Sequence, residues 1–290
     1  MANSDRAEIH RLRNELQAAR QQLALREQEL TEALQSAAHI QRSLIPRRPP
    51  TFHHLHFAWD FNPFKKVGGD LFNVAPLDEN TLMVYLIDVS GHGIASAMVS
   101  VAVHQSLSPT TGRLLKRPLS HRPFYRITPP HEVLAELDAE YPFERFEEFF
   151  TITFLLINPH TGQLRYANGG HPPPLLLRGD GTLERLDEGG PIIGLGHRNA
   201  DDGGEVQLRE GDRLFLYTDG LIDQSDVRGT SYGEGRFVEE LYARREGTLE
   251  QVCQAAMEAQ REFAGTVAAQ DDVTLIGIEF SQREPTSLAT

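Results

Sequence analysis

The hydrophobic rhythm of the chain changes once, near residue 45. From Ala7 to Leu44 there is no Gly or Pro, and Gln, Glu, Arg, Ala and Leu dominate. Alternating steps of three and four from Ile9 pick out Leu12, Leu16, Ala19, Leu23, Arg26, Leu30, Ala33, Ala37, Ile40 and Leu44. That is about five heptads with one polar misfit, Arg26, and a sustained a/d repeat predicts a coiled coil. A single amphipathic helix lying on its own domain gives the same stripe, and the pattern alone leaves both readings open. Alanines at seam positions bury little surface, so the expected coil is a weak dimer that can be rearranged. Pro46, Pro49 and Pro50 end the helix, because proline has no N–H for the next turn.

Beyond the prolines the pattern becomes short apolar or alternating runs bounded by turn residues. The strand-like stretches are 54–61, 71–77, 81–89, 149–157, 163–170, 174–178, 182–186, 213–220 and 272–280. Several connectors have hairpin composition, among them NPHTG at 158–162 and RGDG at 178–181. Helical spacing interrupts the strands near 92–107, 130–140, 234–245 and 248–264. Hairpin-linked strands with helices in pairs imply antiparallel sheets covered by helices, an α+β arrangement rather than a doubly wound parallel sheet. The stretch 108–130 is rich in Pro and Arg and poor in pattern, which predicts a mobile surface excursion.

Composition narrows the classes. The 290 residues are 40% hydrophobic and 24% charged, ordinary for a globular chain with a substantial core. The longest apolar runs are about half of the roughly 18 residues needed to cross a bilayer, so no membrane association is expected. A polar, charged N-terminus without an apolar h-region predicts no secretory signal. One cysteine, Cys253, excludes an intramolecular disulfide and fits a reducing compartment, so the expected location is cytoplasmic. A net charge of −13 argues against nucleic acid as the main partner. An acidic protein still handles phosphate when a metal ion supplies positive charge; otherwise the acidity serves only solubility.

Four aspartates share one context. Asp70 in VGGDLFNV, Asp88 in LIDVSGHG, Asp219 in LFLYTDGL and Asp271 in AAQDDVTLIGI each lie at an end of a strand-like run, beside a turn. One such aspartate is an ordinary turn former. Four of them on rigid strand ends can converge, and their repulsion then calls for a divalent cation with an oxygen shell, Mg²⁺ or Mn²⁺. Two ions about 3.5–4 Å apart generate a hydroxide at neutral pH and clamp a phosphoryl group. Zinc at His53, His54 and His56 is a weaker reading, since the triplet lacks partners.

These residues together resemble the metal-dependent serine/threonine protein phosphatases (PPM family), and within it the bacterial SpoIIE/RsbU branch. The matching motifs run in order: AAHIQRSLIP at 37–46, VGGD at 67–70, DVSGHG at 88–93, residues 149–177, GGPIIGLG at 189–196, LYTDGL at 216–221 and DDVTL at 271–275. The resemblance implies an α-β-β-α sandwich of two antiparallel sheets flanked by helix pairs. It divides the chain into an N-terminal signalling coil (1–45), a phosphatase domain (46–284) and a tail (285–290). By the resemblance Asp88 bridges two ions, the Val89 carbonyl joins one, Asp219 and Asp271 complete the other's shell, and Asp70 acts through water. His92 either protonates the leaving alkoxide or shapes the loop, while Asn168 and His171 support a turn near the site. The implied substrate is a phosphoserine or phosphothreonine on a STAS-domain anti-anti-sigma protein, whose dephosphorylation frees a sigma factor. The coil implies a homodimer and an upstream activator. One departure stands out: the branch often carries a further Asp where this chain has Asn73. That motivates the alternative of a catalytically silent coiled-coil dimer that binds phosphoproteins as a scaffold.

Overall fold

The computed structural model describes residues 2–46, 48–50, 52, 54–64, 66–91, 93–196 and 202–281, with side chains described from residue 10 onward. The chain opens with one long helix, α1 (Ala2–Leu44), followed by strands β1 (Leu55–Asn62), β2 (Leu71–Asp78) and β3 (Thr81–Val89). Next come α2 (Ile94–Ser106), a small hairpin of β4 (Lys116–Pro118) and β5 (Tyr125–Ile127), α3 (Pro130–Glu140) and the short α4 (Phe143–Phe146). Strands β6 (Phe150–Ile157), β7 (Gln163–Gly169), β8 (Leu175–Leu177), β9 (Leu183–Arg185), β10 (Gly189–Gly190), β11 (Gly204–Gln207) and β12 (Asp212–Tyr217) follow. The chain closes with α5 (Asp219–Asp223), α6 (Gly233–Ala243), α7 (Leu249–Ala264) and β13 (Val273–Phe280).

Two sheets form the middle of the molecule. One runs β1-β13-β12-β8-β9 and the other β10-β7-β6-β3-β2, with β11 also paired to β7. All the long pairings are antiparallel, as the hairpin connectors require. The two-residue β10 is the exception: it pairs parallel to β7, so the second sheet is not purely antiparallel.

The strand alternation sorts side chains into three apolar layers. On β3, Met83, Tyr85, Ile87 and Val89 pack under α2 and α3, while Leu82, Val84 and Leu86 face the other sheet. On β13, Ile276, Ile278 and Phe280 face between the sheets, while Val273 and Leu275 pack under α6 and α7. Both faces of the central strands are covered, which is why they read as continuous apolar runs. Helices on the outside and two sheets inside give the expected α-β-β-α layering.

The excursion at 108–130 departs from expectation. Leu114, Leu115 and Thr128 are buried, and β4 and β5 pair through Lys116–Ile127 to Pro118–Tyr125. The apolar pair Leu114-Leu115 anchors the segment to the α2–α3 layer, a signal hidden by the surrounding prolines and arginines.

Helix α1 behaves in two ways along its length. Leu12, Leu16, Leu23 and Leu30 are each more than half exposed. From Leu34 onward an adjoining face of the helix docks: Leu34, Ala37 and Ala38 pack with Val67 and Ala97, and Gln41 is buried, while Ile40 on the heptad stripe stays exposed. Lying on its own domain therefore describes only the last turns of the helix. The proposed tail at 285–290 lies outside the described residues.

Candidate active site

The antiparallel registers bring the right strand ends together. Leu71 at the start of β2 pairs with Ile87 near the end of β3, and Tyr217 at the end of β12 pairs with Leu275 near the start of β13. All four ends meet at one edge of the sandwich. Alternation then decides direction. Phe72 and Val74 face between the sheets, so two residues earlier Asp70 lies on that same side. The same count from Leu86 places Asp88 there, and from Ile276 it places Thr274 and Asp272.

Asp70 is 1% exposed and joins one sheet to the other. Its Oδ2 accepts hydrogen bonds from the Thr218 hydroxyl at 3.0 Å and the Thr274 hydroxyl at 2.5 Å. Its Oδ1 is buried without a partner. Burial and the neighbouring Asp272 push its carboxyl well above the usual range, against the two threonine bonds.

Asp272, 3% exposed, ties the sheets a second time. Its Oδ1 accepts from the Phe64 N–H at 2.7 Å, and its Oδ2 accepts from the N–H groups of Gly69 at 2.7 Å and Asp70 at 3.3 Å. The loop carrying Asp70 is thus hung on one carboxylate. Its glycines are required by the close approach: a methyl group on Gly68 would overlap the Asp272 carboxylate, and one on Gly69 would overlap the Val89 carbonyl.

Asp88, Asp219 and Asp271 complete the cluster. Burial first, then the charges of Asp70, Asp219, Asp271 and Asp272, push the Asp88 carboxyl up to about 10. Asp219 is also raised, by burial and by Asp271 and Asp223, with a side-chain hydrogen bond from Asp88 opposing the shift. Asp271 is exposed and accepts from the Asp272 N–H at 2.8 Å.

Among the described residues, no three or more His, Cys, Asp or Glu side chains are drawn into a closed ligand shell. The aspartates converge through their fields and hydrogen bonds. The donor set nonetheless fits a hard divalent cation: it consists of carboxylates, and one oxygen, Asp70 Oδ1, is buried without a partner.

Other expected residues have definite places. His92 lies outside the described residues, as does His53. His54 packs against Phe280 at the far end of β13, away from the aspartates. Asn168 and His171 lock a turn: the Asn168 amide donates to the His171 carbonyl and accepts from the His171 N–H. The His171 ring lies 2.7 Å from the hydroxyl of Thr151, the strand partner of Asp88. Asn73 pairs across the strands with Tyr85, under the helix layer, and its Oδ1 accepts from the Val74 N–H at 2.9 Å. Cys253 is buried beneath Gly277, with its thiol pushed up to about 12 by burial, and belongs to the core.

Sequence reasoning missed four contributors. Thr218 and Thr274 hold Asp70; both are small hydroxyl residues on the inter-sheet side of their strands, and that parity was the available signal. Asp272 stood in the DD pair without a role of its own. Ser90 fixes the turn after Asp88: its hydroxyl donates to Glu148 at 2.7 Å, and its N–H donates to the Phe149 carbonyl at 2.9 Å. Nothing local in the sequence pairs residues 90 and 148.

Known proteins share this architecture. The chain is 30% identical over 168 residues to phosphoserine phosphatase RsbP of Bacillus subtilis (strain 168), covering 56% of this chain and 38% of RsbP. The SiaA-PP2C domain of Pseudomonas aeruginosa superposes with a TM-score of 0.70 at 21% identity, covering 88% of this chain and 98% of that one. RsbX in complex with magnesium superposes with a TM-score of 0.56 at 16% identity, covering 81% and 99%. The chain spans only 38% to 55% of the length of the curated relatives it matches. The family model described as Stage II sporulation protein E (SpoIIE) matches residues 78–281, from the end of β2 through β13 and so across three of the four converging strand ends; the chain belongs to the SpoIIE family.

Proposed function

We propose that this chain is a divalent-cation-dependent protein serine/threonine phosphatase. The observation that carries the reading is Asp70: buried, held by Thr218 and Thr274 across the two sheets, with one carboxylate oxygen left for a ligand. The kinship with a phosphoserine phosphatase and with a magnesium-bound fold relative supports it. Asp88, Asp219, Asp271 and the Val89 carbonyl would hold Mn²⁺ or Mg²⁺, two ions to a site, with Asp70 acting through water. Bound there, the cations supply positive charge to the phosphoryl oxygens and make water nucleophilic at neutral pH. The residues of the chain keep the frame still: the Asp272 clamp and the Ser90 turn fix the loops before Asp70 and after Asp88. In the reaction a water oxygen bonds to phosphorus, the bond to the serine oxygen breaks, and the serine leaves with a proton.

The finer reading is a STAS-domain anti-anti-sigma protein as substrate, in a partner-switching pathway. The free stripe of α1 suits a second copy of the helix, and Gln41 links that helix to the catalytic loop, its amide donating to the Gly68 carbonyl at 2.8 Å. An activator acting on the coil would therefore act close to Asp70. The scaffold alternative rested on Asn73, whose side chain is engaged with the Val74 backbone and not with the aspartates.

The test is p-nitrophenyl phosphate hydrolysis with Mn²⁺, compared with EDTA and with Asp88→Asn. Turnover that needs both the cation and Asp88 is expected. Turnover that persists in Asp88→Asn at saturating Mn²⁺ would refute the assignment.

A further inference from the structure

His171 is a buried imidazole, 3% exposed, whose turn is fixed without any help from its ring. The Asn168 side chain spans that turn, donating to the His171 carbonyl at 2.7 Å and accepting from the His171 N–H at 2.8 Å. The ring is thereby aimed at Thr151, whose hydroxyl lies 2.7 Å from Nδ1. The backbone of Tyr217, two residues before Asp219, also acts on the ring, but Nε2 has no partner at hydrogen-bond distance, so the threonine is the firm contact. Burial pushes the imidazole down to about 3, so at neutral pH the ring is an uncharged hydrogen-bonding group and not an acid. A threonine hydroxyl both donates and accepts, so the bond forms with either ring tautomer.

Thr151 stands directly across from Asp88 in the β3–β6 register. Leu155 and Ile157 on β6 face between the sheets, and the alternation puts Thr151 on that same side, with Asp88. Directly opposed residues on one face have Cβ atoms about 4.5–5.5 Å apart. The Thr151 side chain is therefore the wall beside the Asp88 carboxylate, and His171 fixes that wall from behind.

Resting on the phosphatase reading above, we propose that His171, acting through Thr151, is a positioning residue that holds the Asp88 carboxylate in place for the divalent cations. Asp70 is held by threonine hydroxyls directly; Asp88 is kept in line by a threonine that is itself tied to an imidazole. Side chains that orient a metal ligand from behind typically change affinity by about ten- to a hundredfold when they are lost.

The experiment measures Mn²⁺ binding to the full chain by titration calorimetry, with p-nitrophenyl phosphate turnover followed against Mn²⁺ in the same samples. Thr151→Val and His171→Phe should each raise the Mn²⁺ Kd by about tenfold or more, with turnover at saturating Mn²⁺ staying within about threefold of the parent. The double variant should lose no more than either single change, because both remove one bond. His171→Asn keeps a hydrogen-bonding group in the place of Nδ1 and should stay within about threefold of the parent Kd. Leu134→Ala, in the α3 layer, should lose stability in urea and leave Mn²⁺ affinity unchanged. Parental affinity in Thr151→Val and His171→Phe overturns the positioning role and leaves the phosphatase standing. So does an equal loss of affinity in Leu134→Ala, which would assign the effect to stability, or a full loss in His171→Asn. A parent chain that neither binds Mn²⁺ nor turns over p-nitrophenyl phosphate overturns the phosphatase reading and takes the positioning role with it.

Discussion

The aspartate cluster has two halves built on different principles. Asp70 and Asp272 are buried, and their carboxylates hold five hydrogen bonds between them from Thr218, Thr274, Phe64, Gly69 and Asp70. Asp219 and Asp271 stand at the open mouth, just beyond the ends of β12 and β13. The difference follows from strand parity: the first pair falls on the inter-sheet side, where burial demands partners, and the second carries the opposite parity, that of Tyr217 and Val273. The closed half is a frame, and the open half faces solvent. Asp88 lies between them and feels the charge of both.

Substituting the adjacent aspartates separately breaks this comparison most directly. Asp272→Ala leaves the buried N–H groups of Gly69 and Asp70 and the part-buried N–H of Phe64 without their acceptor, at roughly 1–3 kcal/mol for each buried orphaned donor. Urea unfolding should show a loss on the order of 3–5 kcal/mol in all. Asp271→Ala should leave the unfolding midpoint nearly unchanged while p-nitrophenyl phosphate turnover falls at least about a hundredfold. Equal losses of stability in the two variants would mean that the halves are not distinct.

The second test uses pH on the protein in EDTA. The Asp88 carboxyl sits at about 10 in the folded state, against an unfolded value of about 3.9. Between those values the folded chain holds a proton that the unfolded chain has released. Stability must therefore fall as pH rises from 5 to 9, by up to about 1.4 kcal/mol per pH unit for one such group. Asp88→Asn should flatten the slope, and bound Mn²⁺ should reverse it by favouring the ionised cluster. A slope that is the same in Asp88→Asn would assign the effect to other groups.

The same parity explains how much was legible beforehand. The strand-like stretches and paired helices match the structure to within a residue or two, except that 213–220 runs three residues past β12 into α5, because β3, β6 and β13 are apolar on both faces and end in charged or glycine turns. Asp70 and Asp88 were visible for the same reason. Asp272 was not, because two adjacent aspartates look alike until the pleat sends one inward and leaves the other out. Ser90 and Glu148 met only through the β3–β6 register. The 189–190 and 204–207 strands carry too few side chains to leave a periodic trace, and Leu114-Leu115 was masked by its Pro- and Arg-rich surroundings.

The frame also reaches outward, and a smaller effect tests how far. Gln41 meets Gly68 in both directions, its amide donating to the carbonyl and its oxygen accepting from the N–H at 3.3 Å. Gln41→Leu should destabilise by roughly 1–3 kcal/mol, because the Gly68 groups stay buried. It should also lower turnover severalfold through the loop that carries Asp70. A loss of stability with turnover untouched would separate α1 from the site.

Helix α1 repeats the contrast of closed and open halves, and it gives the mildest prediction. Leu34, Ala37, Ala38 and Gln41 form a face adjoining the stripe of Leu12, Leu16, Leu23 and Leu30, and only that face is covered; Ile40 on the stripe itself is 59% exposed. Four half-exposed leucines in line on a polar helix bury nothing within one chain; a second helix on the same stripe removes them from water. Leu16→Glu with Leu23→Glu places charges on that seam without touching the domain. Urea unfolding of the domain should be unchanged, since neither residue packs on it. Light scattering should report a dimer for the parent and a monomer for the double variant, with turnover shifted between the two. A parent that is already monomeric at micromolar concentration would leave the stripe to a different protein, and the coil would then serve a partner instead of a second copy.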